Sequence, residues 1–231
     1  MNRSGESARA MAEAYDEEAE ATGWRGPEVA FCLAAEHIRP GQSILDIGIG
    51  TGLGAAPFRE AGLVVYGMDV SPEMLDACRT KGFTNLSLHD LTQIPYPFDT
   101  ESVDHALCIG VLQFFCDLSA VFEETSRILR PGGLFAFVVG DRSDDETRRF
   151  VMSAEETGTG HPMTMYRHSV RQIEKWAGCF GFALLGSLPF DVYADRERTR
   201  NLPVKCYLVR KTPSDGSAPE GGPGRSTRAT P

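Results

Sequence analysis

Ser43-Ile-Leu-Asp-Ile-Gly-Ile-Gly-Thr-Gly-Leu-Gly-Ala55 runs from an apolar segment through a single acid into closely spaced glycines. Ile44, Leu45 and Ile47 suit a parallel strand covered on both faces. Gly48, Gly50 and Gly52 suit a turn where a ligand approaches bare backbone. A helix beginning near Gly52 would aim free N–H groups at that ligand. The stretch predicts a strand, turn and helix that hold a nucleotide cofactor, against the plainer possibility of a glycine turn that binds nothing.

Outward from this stretch, strand-like and helix-like runs alternate. Val64 to Met68, Leu86 to Leu88, Val103 to Ile109 and Leu134 to Val139 read as further strands, with Phe182 to Leu188 and Val204 to Val209 closing the set. Such alternation predicts a Rossmann-like, doubly wound α/β sheet. The intervening helices carry boundary chemistry. Ser71-Pro72 pairs a capping serine with a proline at the first helical position. A stripe of Leu118, Val121, Phe122, Thr125 and Ile128 marks a core helix ended by Arg130-Pro-Gly-Gly133. Ser169-Val-Arg-Gln172 has capping-box spacing at the start of the last helix.

Upstream, Ala8 to Ala21 is helix-prone and Pro27 can begin a second helix. Both precede the first strand, so they pack over the sheet's edge or its mouth; at the mouth, Tyr15 and Trp24 become pocket residues. The predicted organisation is a helical segment over residues 1–40, which the resemblance given below implies to be a lid, one α/β domain over 41–212 and a disordered tail over 213–231, whose composition offers almost nothing to bury.

The 231 residues carry 23 Lys and Arg against 32 Asp and Glu, a formal net charge of −9. That balance argues against wrapping nucleic acid, which needs a clustered basic surface, and fits a small or cationic substrate better. Arg196, Arg198 and Arg200 alternate with acids and read as a solvated loop. No apolar run approaches the roughly 20 residues that span a bilayer, and the first residues lack a signal-peptide core, so a cytosolic protein off the membrane is expected. The six cysteines show neither C-x-x-C spacing nor a neighbouring histidine, so no metal site is expected. Most fit small buried hydrophobes; Cys108 and Cys116 lie near the expected pocket.

The acids stand where ligands of an open parallel sheet are bound, at the carboxyl ends of strands. Asp46 interrupts an apolar strand, and a buried carboxylate needs a cation or hydrogen-bond donors to offset its desolvation. The ammonium group of an amino-acid ligand would serve, as would loop N–H groups. Asp69 lies at the roughly 20-residue distance from the glycines at which an acid reaches ribose hydroxyls. Asp90 suits an exocyclic adenine amine, with the Leu91 N–H bonding the ring, or alternatively a turn. Gly50-Thr-Gly-Leu-Gly-Ala55 also fits G-x-G-x-x-A, which leaves an NAD-binding turn open.

Taken together, these segments resemble the class I, S-adenosylmethionine-dependent methyltransferases. Asp46-Ile-Gly-Ile-Gly-Thr-Gly52 is similar to their first motif and Tyr66-Gly-Met-Asp-Val-Ser-Pro-Glu-Met-Leu75 to their second. The likeness continues through His89-Asp-Leu91, Ile94 to Ala106 and Leu129 to Leu134. The resemblance implies a seven-stranded sheet with its last strand antiparallel. It implies S-adenosylmethionine held by Asp46, Gly48, Gly50, Thr51, Gly52, Asp69, Val70, Asp90, Leu91, Ile109 and Gly110. Tyr15 then belongs to an N-terminal lid, and Gln113 stands where many relatives carry histidine.

Methyl transfer from a sulfonium is an in-line displacement, in which the protein chiefly aligns the partners and excludes water. For an acceptor that must lose a proton, His161, Tyr166 and His168 are the candidate bases, in a segment where substrate loops insert. Surface or helix-start packing is the competing reading of each. Met163 and Met165 suit an adaptable apolar wall. The expected substrate-binding set is Tyr15, Gln113, His161 and Tyr166. The expected activity is methylation of an oxygen, nitrogen or sulfur atom of a small metabolite. The alternatives are an NAD-dependent oxidoreductase and a non-catalytic S-adenosylmethionine-binding protein. Acceptor, oligomeric state and pathway stay open.

Overall fold

The structure, a computed structural model, describes residues 3–154 and 161–213. The predicted tail from residue 214 onward, and Gly158 to Gly160 of the candidate substrate segment, lie outside the described residues.

The chain begins with α1 (Arg3–Ala21) and α2 (Gly26–Ala34), followed by β1 (Ser43–Ile47), α3 (Ala56–Glu60), β2 (Val64–Asp69), α4 (Pro72–Thr80) and β3 (Asn85–Leu88). Next come β4 (Val103–Cys108), a 3₁₀ turn at Leu112–Phe114, α5 (Ser119–Ile128) and β5 (Leu129–Asp141). The last third holds β6 (Arg149–Met152), β7 (Met163–His168), α6 (Val170–Cys179), β8 (Phe182–Tyr193) and β9 (Asn201–Lys211). Strands run β3-β2-β1-β4-β5, with β9 antiparallel to β5 and β8 antiparallel to β9. This is the expected Rossmann-like sheet with its last strand antiparallel. The β6–β7 hairpin is an addition: β7 pairs with the end of β5 at Gly140 and Asp141, where the sequence suggested only an inserted loop.

Strand alternation sorts the apolar side chains into two cores. Leu45, Ile47, Phe135 and Phe137 pack under α5 and α6 with Phe122, Ile173 and Tyr207. Ile44, Leu134, Ala136 and Val138 pack on the other face with Ala30 of α2, Phe58 of α3 and Leu75 of α4. Phe122 is the hub of the first core, with ring centroids of Phe135, Phe137, Trp176 and Phe182 between 5.3 and 6.2 Å away.

The capping chemistry forms as read. Ser71 Oγ accepts the Met74 N–H at 3.1 Å, and Gln172 Oε1 accepts the Ser169 N–H at 3.1 Å. One expected boundary moves. The helix after the glycines begins at Ala56 rather than near Gly52, because Gly50 (φ 54°) and Gly52 (φ 86°) are left-handed and cannot belong to a right-handed helix. The N–H groups facing a ligand here therefore come from a loop. Among the described residues no helix is long and apolar enough to cross a membrane.

Candidate functional site

Two joined cavities open at the carboxyl ends of β1, β2 and β4. The smaller, about 460 Å³, is lined by the β1 turn, by Asp69, Val70 and Ser71 after β2, by Asp90 and Leu91 after β3, and by Ile109, Gly110 and Val111 after β4. The larger, about 1150 Å³, extends from there under α1 toward the β6–β7 hairpin and the β8–β9 loop. Tyr15, Trp24, Met74, Gly110 and Gln113 line both.

Asp46 is 2% exposed, and no described side chain or N–H donates to its carboxylate. Burial, and then the negative Asp69 nearby, raises its pKa to about 7. Gly54 lets it sit there: a Cβ on that residue would stand 3.2 Å from Asp46 Oδ2. Asp69 is tied down at both oxygens, Oδ2 accepting the Gly50 N–H at 2.8 Å and Oδ1 the Ser71 N–H at 2.9 Å. Those bonds lock the glycine turn to the end of β2 and leave each oxygen a further acceptor lone pair, with Asp69 on the cavity wall. Asp90 Oδ1 accepts from both the N–H and the hydroxyl of Thr92 at 2.8 Å, which holds its carboxyl below the usual range. The turn reading of Asp90 is thus realised, with the residue still on the cavity wall.

The glycines divide their work. Gly48 (φ 80°) lets the Val111 side chain close over the turn, since a Cβ would stand 2.4 Å from it. Gly52 does not line the cavity; its missing Cβ makes room for the Phe83 ring, 2.4 Å away. Thr51 donates to Asp16 Oδ1 at 2.9 Å, and Lys81 also bonds Asp16, so α1 is fastened over the turn from two sides. Tyr15 on that helix is brought over both cavities, and burial followed by the charge of Asp16 raises its pKa. Gln113 Nε2 donates to the Gly110 carbonyl at 2.8 Å, bracing the post-β4 segment.

The three candidate bases are not brought to the cavities. His168 is fully buried, its Nε2 lies 3.0 Å from the Phe115 carbonyl oxygen, and its ring lies edge-on to Trp176. Burial drops its pKa to about 4. Tyr166 shares its strand face with His168, while Met163, Met165 and Arg167 alternate onto the cavity side. His161 stands exposed ahead of β7 and lines neither cavity.

Residues that sequence reasoning missed include Phe150 and Met152 of the unexpected hairpin, and Arg167. The signal for Arg167 was present as the period-two series Met163, Met165, Arg167. The arginine loop is also more than a solvated surface: Arg196 pairs with Glu18 of α1 at 2.6 Å and lines the larger cavity although it is 57% exposed.

Comparison with known proteins agrees with this geometry. A methyltransferase domain model matches residues 45–137. A malonyl-[acyl-carrier protein] O-methyltransferase of Serratia marcescens is 36% identical over 99 residues, 42% of this chain and 38% of that protein. A demethylmenaquinone methyltransferase of Tropheryma whipplei is 33% identical over 98 residues, 42% of this chain and 41% of that protein. The chain thus spans about two fifths of the length of these relatives. Among solved structures, the Burkholderia thailandensis 1,6-didemethyltoxoflavin-N1-methyltransferase, with 1,6-didemethyltoxoflavin and S-adenosylhomocysteine bound, superposes with a TM-score of 0.63 at 21% identity, covering 90% of this chain and 85% of that one. At that identity the likeness speaks for the fold. The motif order and the strand order agree with these comparisons: residues 45–137 match a methyltransferase domain, and the chain is similar in sequence and fold to S-adenosylmethionine-dependent methyltransferases.

Proposed function

We propose that this chain transfers the methyl group of S-adenosylmethionine to an oxygen, nitrogen or sulfur atom of a small metabolite seated in the larger cavity. The observation that carries the reading is Asp46: a buried carboxylate to which no described residue donates a hydrogen bond, at the wall of a cavity beside a glycine turn. A cationic ligand group removes the cost of that burial, and the amino acid end of the cofactor supplies one. Asp69, held by Gly50 and Ser71, presents its remaining lone pairs to ribose hydroxyls. Asp90 presents its second oxygen, and Leu91 its N–H, to the adenine edge. Thr51, Val70, Ile109 and Gly110 complete the walls, and Gly52 acts by shaping the turn against Phe83.

The bound cofactor supplies an activated methyl on a positive sulfur. The protein's part is to align and to exclude water, and α1 does both by covering the junction of the two cavities with Tyr15. Tyr15, Trp24, Met74 and Gln113 stand where an acceptor meets the cofactor.

Calorimetric titration with S-adenosylmethionine, S-adenosylhomocysteine and NAD tests the reading, alongside Asp69→Ala. The first two should bind and NAD should not, and the variant should weaken binding roughly 10- to 100-fold, as loss of charge-assisted hydrogen bonds does. Binding of NAD alone would restore the oxidoreductase alternative. Cofactor binding without turnover on any acceptor would favour a non-catalytic binder.

A further inference from the structure

The larger cavity has an apolar wall and one inner cation. Phe150 and Met152 of β6 pair with Met165 and Met163 of β7 to form an adaptable surface, and Leu202 of β9 also lines the cavity. Arg167 stands at the inner end of that wall, where β7 joins β5 beside Gly140. Gly140 makes room for it: a Cβ there would lie 2.9 Å from Arg167 Cγ. The guanidinium crosses the Phe150 ring at 5.4 Å and donates from Nη2 to the Thr147 carbonyl at 3.3 Å, and it forms no ion pair with a described carboxylate.

Several of the other charges around the cavity are matched locally. Arg196 is taken by Glu18, and Asp195 accepts the N–H and hydroxyl of Thr199 at 2.9 and 2.7 Å. Glu197 and Arg200 stand on the same loop with opposite signs. On the neighbouring strand β9, Lys205 is held by Asp141 at 2.9 Å. Arg167 is thus a lining cation that forms no ion pair among the described residues: its charge reaches the exposed Glu146, while its Nε is buried with no hydrogen-bond partner; a guanidinium so placed favours a carboxylate, which matches its fork of donors. Independently, no histidine is among the described residues lining either cavity. An acceptor that arrives already ionised needs no base to remove a proton.

We propose that the larger cavity takes an apolar carboxylic acid as its anion, with Arg167 binding the carboxylate and one carboxylate oxygen accepting the methyl group. The inference rests on the methyltransferase reading and names its substrate class. An oxygen lone pair forms the new O–CH₃ bond as the S–CH₃ bond breaks, its electron pair returning to sulfur. Carboxylate and sulfonium become a neutral ester and a neutral thioether, and no proton moves. The aliphatic and aromatic wall accommodates the body of the acid.

The test uses the full chain saturated with S-adenosylhomocysteine and three matched probes: 6-phenylhexanoate, 6-phenylhexan-1-ol and 6-phenylhexylamine. Calorimetry should show the acid binding at least about tenfold more tightly than the alcohol, with the amine weakest. Arg167→Met should abolish that preference and Arg167→Lys should keep part of it, with affinity for S-adenosylhomocysteine unchanged in both as the check on folding. With methyl-labelled S-adenosylmethionine, the acid should yield a base-labile methyl ester, released as methanol in alkali. An acid that binds no better than the alcohol in the unmodified chain, a preference that survives Arg167→Met, or label passing to the alcohol or amine but not the acid would overturn the inference. Failure of the unmodified chain to bind S-adenosylhomocysteine would overturn the methyltransferase reading instead.

Discussion

At the scale of the residue, Asp46 gives the site a dependence on pH. Its pKa of about 7 in the folded chain lies above the ordinary aspartate value of 3.8, burial being the larger cause and Asp69 the smaller. A raised folded-state value means that this group's contribution to stability is fullest below pH 4 and is lost as pH rises through 7, by an amount on the order of a few kcal/mol. A cationic ligand reverses the preference, because it selects the ionised form. S-adenosylhomocysteine should therefore bind more weakly by up to about tenfold per pH unit below 7, and release protons on binding near neutrality. Calorimetry in buffers of differing ionisation enthalpy would show the released protons, and Asp46→Asn should flatten the profile while weakening binding. Asp46 and Asp69 were legible in sequence as acids at strand ends. The two bonds that fix Asp69 to Gly50 and Ser71 were not, since they depend on how the turn after β1 folds back over β2.

At the scale of the element, the polar contacts that hold α1 include Asp16 to Thr51 and Lys81, Glu18 to Arg196, and the Ala21 carbonyl to Arg198. Each such contact is worth about 1 kcal/mol or less where it is partly exposed. Asp16→Ala should therefore raise the release rate of S-adenosylhomocysteine by about fivefold and speed amide exchange in α1, as stopped-flow and hydrogen-exchange measurements would show. Helices with a capping serine or an apolar stripe were readable from sequence because those signals are local. The β6–β7 hairpin escaped because β6 has only four residues and the long connection to β7 carries no tight-turn signature. Its cavity-facing side chains were hidden with it. Met163 and Met165 were recognised as a possible wall, and their period-two series reaches Arg167, but the series counts only once the segment is known to be a strand, which the pairing of β7 with β6 and β5 shows.

At the scale of the molecule, the sheet separates two cores, and Phe122 is the centre of the one remote from α2, α3 and α4. Phe122→Ala leaves a cavity among four aromatic rings and should cost about 3–5 kcal/mol, measured by urea denaturation, with little change in cofactor affinity for the molecules that remain folded. The doubly wound architecture was legible because alternation of short apolar runs and helical stripes is a global pattern. The arrangement over the mouth was not, because it joins residues more than 170 positions apart, as in the pairing of Glu18 with Arg196.

The wall shared by the two cavities makes their occupants thermodynamic partners. Tyr15, Trp24, Met74, Gly110 and Gln113 each face both chambers, so a shift in any of them made to suit one occupant changes the fit of the other. Such coupling is reciprocal: whatever factor the cofactor imposes on acceptor affinity, the acceptor imposes on the cofactor. In the proposed reaction, loss of the methyl group at that junction alters both fits at once, so the same five residues that would bring the reactants together would also set how readily the products part.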